Sequence, residues 1–297
     1  MQVMLKDTVD QAERQVLLAS IAKFKAGANR QRLQSTRVVG VTCAASTFGC
    51  LTALEFAVVI LDECCQMTEP NALLPIARFK CRQLMLVGDP KQLAPTVSGG
   101  EAAHEHGLEQ TLFSRLERMG VTTVLLRTQY RCHPAISRVS NALFYDGQLQ
   151  DGVAKEERAG LVALPPLAWF DVTTGREEQD TSNSYKNQAE GLFVVGLLRY
   201  LMDHGVEASE IGVICLYKAQ AQLVQLHVNG PHGLSDSRGL QISTVDAFQG
   251  GEKKIIILSC VRTDRVGFID NPKRVNVALT RGKHHLFIAG RSWVLSS

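Results

Sequence analysis

Residues 58–63, Val58-Val59-Ile60-Leu61-Asp62-Glu63, join four apolar residues to two adjacent carboxylates. A short apolar run rich in β-branched residues fits a strand buried on both faces, as in a parallel sheet. Acids at the end of such a strand lie at the C-terminal edge of the sheet, where ligands of open α/β folds bind. There Asp62 can support the water shell of a Mg2+ ion, and Glu63 can orient or deprotonate an attacking water. Two acids after a strand also serve as helix N-caps or as a solvated turn, and the hexapeptide by itself leaves both readings open.

The pattern repeats outward from this point. Val38–Thr42, Ala57–Leu61, Leu84–Val87 and Thr123–Arg127 each read as a buried strand. Between them Asn71–Phe79, Gln110–Met119 and Ala135–Phe144 are helix-compatible. Strands alternating with helices predict parallel pairing through crossover connections, hence an α/β, doubly wound sheet. Upstream, residues 1–37 carry Val9, Ala12, Val16, Leu17, Ile21 and Phe24 at helical spacing and are expected to be helical, with Gly27 breaking the run. Residues 150–185 hold no sustained period and read as a boundary region marked by Pro165-Pro166. A second series follows: helix Asn187–Met202, then strands Ile211–Leu216, Leu240–Val245, Ile255–Cys260 and His285–Ala289. Two α/β units in tandem are expected, the first over 38–155 and the second over 156–297. A chain of 297 residues is long enough for both.

Composition excludes several classes. With 45% hydrophobic and 21% charged residues the chain is globular rather than disordered. A net charge of +3 does not by itself argue for nucleic acid, although a groove can be locally basic. The eight cysteines form no C-x-x-C pair, and several sit in apolar runs, which predicts buried free thiols rather than zinc sites or disulfides. No apolar run approaches 18 residues and no signal-peptide pattern is present, so an intracellular protein with no membrane partner is expected.

Further residues carry chemistry. Leu84-Met85-Leu86-Val87-Gly88-Asp89-Pro90-Lys91-Gln92 is a second polar-tipped strand: Gly88 permits close backbone approach, and Gln92 can sense a terminal phosphate or position water. A polar turn closed by Pro90 is the plainer reading. Arg131, in Gln129-Tyr130-Arg131-Cys132-His133-Pro134, precedes a helix start and can clamp phosphate oxygens, or can form an ordinary surface ion pair. His133 reads as a packed or capping side chain before a catalytic base. Ser243-Thr244-Val245-Asp246-Ala247-Phe248-Gln249-Gly250 ends a strand in small hydroxyls and a glycine turn suited to a sugar-phosphate backbone. Glu252 can accept from ribose hydroxyls or pair with a neighbouring Lys. Arg281, in Asn276-Val277-Ala278-Leu279-Thr280-Arg281-Gly282, is a second candidate phosphate ligand.

The order of these segments resembles that of the superfamily 1B helicases. Thr42-Cys43, Asp62–Gln66, Gly88–Pro95, Gln129–Pro134, Ser243–Gly250 and Val277–Arg281 stand where that family carries its ordered motifs, over roughly residues 38–290. Longer strings, among them Leu74-Pro75-Ile76-Ala77-Arg78-Phe79 and Ile257-Leu258-Ser259-Cys260-Val261-Arg262-Thr263, resemble most the helicase region of the GRF-type zinc-finger helicases, a DNA-repair group. The resemblance implies two tandem RecA-like domains, ATP with Mg2+ at their interface and single-stranded nucleic acid across their top, with 5′-to-3′ movement. By it Asp62 supports Mg2+ through water, Glu63 activates water, Gln92 contacts the γ-phosphate, and Arg131 and Arg281 act as arginine fingers. Tyr130 stacks near the adenine, Gly250 and Glu252 lie on the nucleotide with Glu252 on the ribose, and Thr42 and Thr244 face the nucleic-acid backbone. DNA is favoured over RNA, and a nuclear location follows from the same likeness.

One departure stands out. These helicases carry a G-x-x-x-x-G-K-[ST] loop ahead of the matched region, and no such string occurs in the 297 residues. That loop supplies the amides, Lys and hydroxyl that hold phosphates and Mg2+. The first domain is therefore expected to lack its phosphate-loop strand and helix, and residues 1–37 to belong to an insertion within it. The chain alone is expected to be inactive. A non-catalytic nucleic-acid- or protein-binding fragment is the alternative, and metal-dependent nuclease chemistry at Asp62 and Glu63 a weaker one.

Overall fold

The structure, a computed structural model, describes residues 15, 31–52, 54–97, 107–231, 233–264 and 271–292. They belong to two compact units: residues 1–90 with 94–122, and residues 91–93 with 123–297. Most of the helix expected over 1–37 lies outside the described residues, while residues 31–34 are helical.

In the first unit the decisive hexapeptide forms strand β1 (Val58–Leu61). Helix α1 (Glu69–Phe79) carries the chain to strand β2 (Gln83–Leu86), which pairs parallel to β1 with Val58 opposite Gln83 and Leu61 opposite Leu86. Helix α1 starts two residues before the expected Asn71 because Pro70 falls in its first turn, where a missing N–H costs nothing. It ends at Lys80, whose backbone is left-handed. Val59 and Leu61 pack into a core with Leu51, Cys64, Cys65, Ala72, Phe79 and Leu112. Val58 and Ile60, on the other face, are exposed, so the expectation of burial on both faces holds for one face only. Helix α2 (Leu112–Arg118) begins at Thr111, whose hydroxyl accepts from Ser114 N, and is tied to α1 by the Arg115–Glu69 ion pair.

The strand expected at Val38–Thr42 is not formed. Val38 is 86% exposed, and no described strand pairs with this segment. The backbone instead turns: Thr42 Oγ1 accepts from Ala45 N at 3.2 Å and Thr42 O from Ser46 N at 3.0 Å, opening a short 3-10 helix. An apolar segment becomes a strand only when a neighbour takes its N–H and C=O groups. The same physics corrects Thr123–Arg127, where Val124 is 84% exposed and pairing begins only at strand β3 (Thr128–Gln129).

In the second unit β3 pairs parallel with β4 (Gln150–Asp151) across helix α3 (Pro134–Phe144). Strands β5 (Leu167–Asp171), β6 (Glu177–Gln179) and β7 (Tyr185–Asn187) follow, then helix α4 (Gln188–Asp203), strand β8 (Ile211–Cys215) and helix α5 (Lys218–Asn229). Strands β9 (Gln241–Thr244) and β10 (Lys253–Ser259), helix α6 (Pro272–Leu279) and strand β11 (Gly282–Gly290) complete it. The main sheet has the order β5-β11-β10-β8-β9, and every pairing in it is parallel. Along β10 the side chains alternate between two cores. Ile256 and Leu258 pack with Ile136 of α3 and Val277 of α6, whereas Ile255 and Ile257 pack with Val194 and Leu198 of α4 and Val224 of α5. This is the doubly wound α/β architecture expected of a continuous apolar run.

Residues 123–155, expected in the first unit, pack with the second. The stretch 150–185 is no bare linker either, since it supplies edge strand β5 and the antiparallel pair β6–β7. Fully buried His285 of β11 accepts from Leu161 N at 2.9 Å through Nε2 and donates to Pro165 O at 3.2 Å through Nδ1, fastening this stretch to the sheet. Burial holds that imidazole below its ordinary pKa and thus neutral, as the two roles require.

Candidate functional site

In the first unit, β1 delivers Asp62 and Glu63, both exposed, at its C-terminal end. Glu63 is held in a left-handed conformation, φ 54°, which a non-glycine residue adopts only when its surroundings fix it. Here Asp62 Oδ1 accepts from Glu63 N at 3.0 Å, Glu63 Oε2 from Gln66 Nε2 at 2.6 Å, and Val87 O from Cys64 N at 2.9 Å. Gly88 makes the close approach expected of it, but toward its own chain: a Cβ there would lie 3.0 Å from Cys65 N and 3.1 Å from Cys64 Sγ. The glycine thereby lets the chain after β2 seat the acidic turn. Thr42, also in this unit, is exposed and caps the 3-10 turn described above.

In the second unit, residues from distant parts of the sequence meet. Arg131 donates Nε to Glu252 Oε2 at 2.7 Å and Nη1 to Thr280 O at 3.3 Å. Lys283 Nζ lies 2.5 Å from the other oxygen of Glu252. Lys283, followed by Arg131, holds the Glu252 carboxyl below the usual carboxylate range against the opposing effect of burial. Arg281 is 3% exposed and donates to Val277 O at 3.1 Å, Gly251 O at 3.5 Å and Gln92 Oε1 at 2.9 Å. Gln92 belongs to this unit together with Leu93, which is buried in its core. Tyr130 is 66% exposed. His133 caps α3, its Nδ1 accepting from Ala135 N at 3.0 Å, in keeping with the capping role.

Thr244 ends edge strand β9, and Gly250 closes the following turn with φ 73°. Ser243 Oγ in β9 and Gln249 Nε2 in this turn are buried without a hydrogen-bond partner. Gln92, Arg131, Glu252 and Arg281 are thus brought together. Asp62, Glu63 and Thr42 belong to the other unit. Sequence reasoning missed Lys283, which follows Arg281 by two residues at the start of β11, and Arg158, which no motif marks.

The residues fit an adenosine polyphosphate: an exposed ring for the purine, a carboxylate for ribose hydroxyls and guanidinium groups for phosphate. Asp62, exposed at the C-terminal end of β1, has the chemistry to hold Mg2+ through its water shell, and Glu63 beside it that to accept a proton from water.

Comparison with known proteins gives the family. Two AAA domain profiles match, one over residues 108–293 and the other over residues 3–99. The 5′-3′ DNA helicase ZGRF1 of Mus musculus is 56% identical over 289 residues, covering 97% of this chain and 16% of that protein. A Regulator of nonsense transcripts 1 homolog of Drosophila melanogaster is 38% identical over 285 residues, 92% of this chain and 24% of that one. The ATP-dependent helicase NAM7 of Saccharomyces cerevisiae is 37% identical over 250 residues, 80% and 25% respectively. The chain therefore spans a quarter or less of the length of these three relatives. With its parallel α/β units, its ordered motifs and these matches, the chain belongs to the AAA-domain helicases of superfamily 1B.

Proposed function

We propose that the chain forms part of an ATP-dependent 5′-to-3′ helicase that moves on single-stranded nucleic acid, DNA in preference to RNA, in nuclear DNA repair. The observation that carries the reading is the cluster in the second unit, where residues from four separated segments place two arginines, Gln92 and Glu252 beside one another. Bound ATP supplies the phosphoanhydride, and Mg2+ its charge neutralisation. Asp62 holds the metal's water shell and Glu63 takes the proton of the attacking water. Arg131 and Arg281 meet the charge that develops on the phosphates, and Gln92, which accepts from Arg281, contacts the γ-phosphate. Tyr130 receives the adenine, Glu252 the ribose with Gly250 beside it, and Thr42 and Thr244 the strand's backbone. The mouse relative is a 5′-3′ DNA helicase, which supports the polarity and the choice of DNA.

With no G-x-x-x-x-G-K-[ST] string in its 297 residues, the isolated chain is proposed to bind a single strand without hydrolysing ATP. The test compares strand-stimulated ATP hydrolysis by the chain and by a version preceded by such a loop. Turnover only in the second is expected. Inactivity of both sinks the helicase reading, and activity of the first sinks the dependence on the loop. Strand binding by the chain should weaken as salt rises.

A further inference from the structure

We propose that Arg158 is the positioning residue of the Tyr130–Arg131 pair, with Gly152 as the floor of the Tyr130 ring. Arg158 ends a 3-10 turn, Glu156–Arg158, anchored by Ala154 N donating to Glu157 Oε1 at 2.9 Å. Its guanidinium donates Nε to Arg131 O and Nη2 to Tyr130 O, each at 2.9 Å. A third nitrogen, Nη1, reaches Glu157 O at 3.3 Å and steadies the fork itself. One planar group thus holds two consecutive carbonyls.

The amides on the same stretch are held by another side chain. Gln129 Oε1 accepts from Arg131 N and Cys132 N, both at 2.9 Å, while its Nε2 donates to Cys132 O at 2.9 Å and to Asp151 Oδ1 at 2.6 Å. Residues 130–132 therefore owe their conformation to two side chains rather than to a helix or a ladder. Gly152 donates its N–H to Gln129 O at 2.8 Å, and a Cβ on it would lie 2.3 Å from Tyr130 Cε1 and 2.6 Å from Cδ1. The ring lies against that bare backbone.

The consequence is a fixed offset between an exposed ring and a guanidinium. If Tyr130 takes the base and Arg131 the phosphate, on which this inference rests, Arg158 sets the spacing between the two contacts. A lysine would keep the charge of Arg158 but lacks the rigid planar fork that spans both carbonyls.

Arg158→Lys and Gly152→Ala test it. In the 297-residue chain, hydrogen exchange of the Arg131 and Cys132 amides should speed up about five- to tenfold in Arg158→Lys, the factor carried by one net hydrogen bond, while the melting temperature falls by no more than about 5 °C. In the hydrolysing version, Arg158→Lys should raise KM for ATP and lower kcat together. Gly152→Ala should raise KM and leave kcat. Unchanged exchange overturns the proposal, as does faster exchange with both kinetic constants intact, which is what a merely structural role predicts. A wild-type protein inactive both with and without the added loop refutes the proposed function instead, and the exchange measurement still decides whether Arg158 holds the pair.

Discussion

Glu190 lies in the first turn of α4, 1% exposed, with its carboxylate turned onto the end of β10. Ser259 Oγ donates to it, and Val261 N reaches Oε1 at 2.9 Å and Oε2 at 3.1 Å. Val261 has φ 72°, an outlier for a β-branched residue, so the carboxylate steadies a strained backbone. Burial pushes the carboxyl up to about 7, against the hydrogen bonds from Ser259 and from the Val261 and Cys260 amides. In the unfolded chain it titrates near 4.5. Between these values the folded unit binds a proton that the unfolded chain has released, so stability falls as pH rises. The contribution is fully present below about pH 4.5 and is lost through about pH 7, amounting to roughly 3 kcal/mol. Glu190→Gln removes this dependence while keeping one acceptor for Val261 N. The two proteins should be unfolded in urea at pH 5 and at pH 8, followed by tryptophan fluorescence, because Trp169 lies in edge strand β5 of the second unit. Groups common to both cancel. Wild type should lose roughly 2–3 kcal/mol relative to the variant between the two pH values, a change on the order of 1 M in the gap between midpoints. Parallel pH dependences would refute the assignment of a buried, proton-binding Glu190.

Three other outcomes are expected. Glu63→Gln, in the version that hydrolyses ATP, should lower kcat by at least about a hundredfold as the loss of a general base does, and leave strand affinity unchanged in a salt titration. Glu252→Gln frees Arg131 and Lys283 from a half-exposed carboxylate, so calorimetry should show a stability loss under about 1 kcal/mol while KM for ATP rises severalfold. Gly212→Ala places a Cβ 2.5 Å from Phe248 Cζ and 2.8 Å from Ile256 Cδ1. Both side chains are fully buried, and thermal unfolding should report a cost of about 1–3 kcal/mol from overpacking.

How far the sequence could be read depended on the range of the interactions. Ile255–Ser259 announces a doubly covered parallel strand because each side chain needs only an apolar neighbour, whichever residue provides it. Val58–Leu61 ends in its acids for a reason internal to the hexapeptide. The family likeness supplied the roles of Gln92, Arg131 and Arg281, and the structure brings these three together with Glu252 in one unit. The periodic signal failed where a segment needed a specific distant partner. Val38–Thr42 and Thr123–Arg127 have the composition of strands but no described strand beside them, and Val38, Val41, Val124, Leu125 and Leu126 are exposed while Val39 alone of the valines packs on the core. Strand β5 was hidden because its half-buried edge position imposes no strong pattern. Glu252 could be assigned a neighbouring Lys in advance, but not Lys283 and Arg131 on its two oxygens. Nor could any pattern reveal Arg158, whose contribution is the geometry of one guanidinium across two carbonyls. Apolar periodicity and the acid-tipped strand of residues 58–63 were determined locally. Which face of that strand is covered, and which arginine is held by which carboxylate, depended on contacts between residues far apart in the chain.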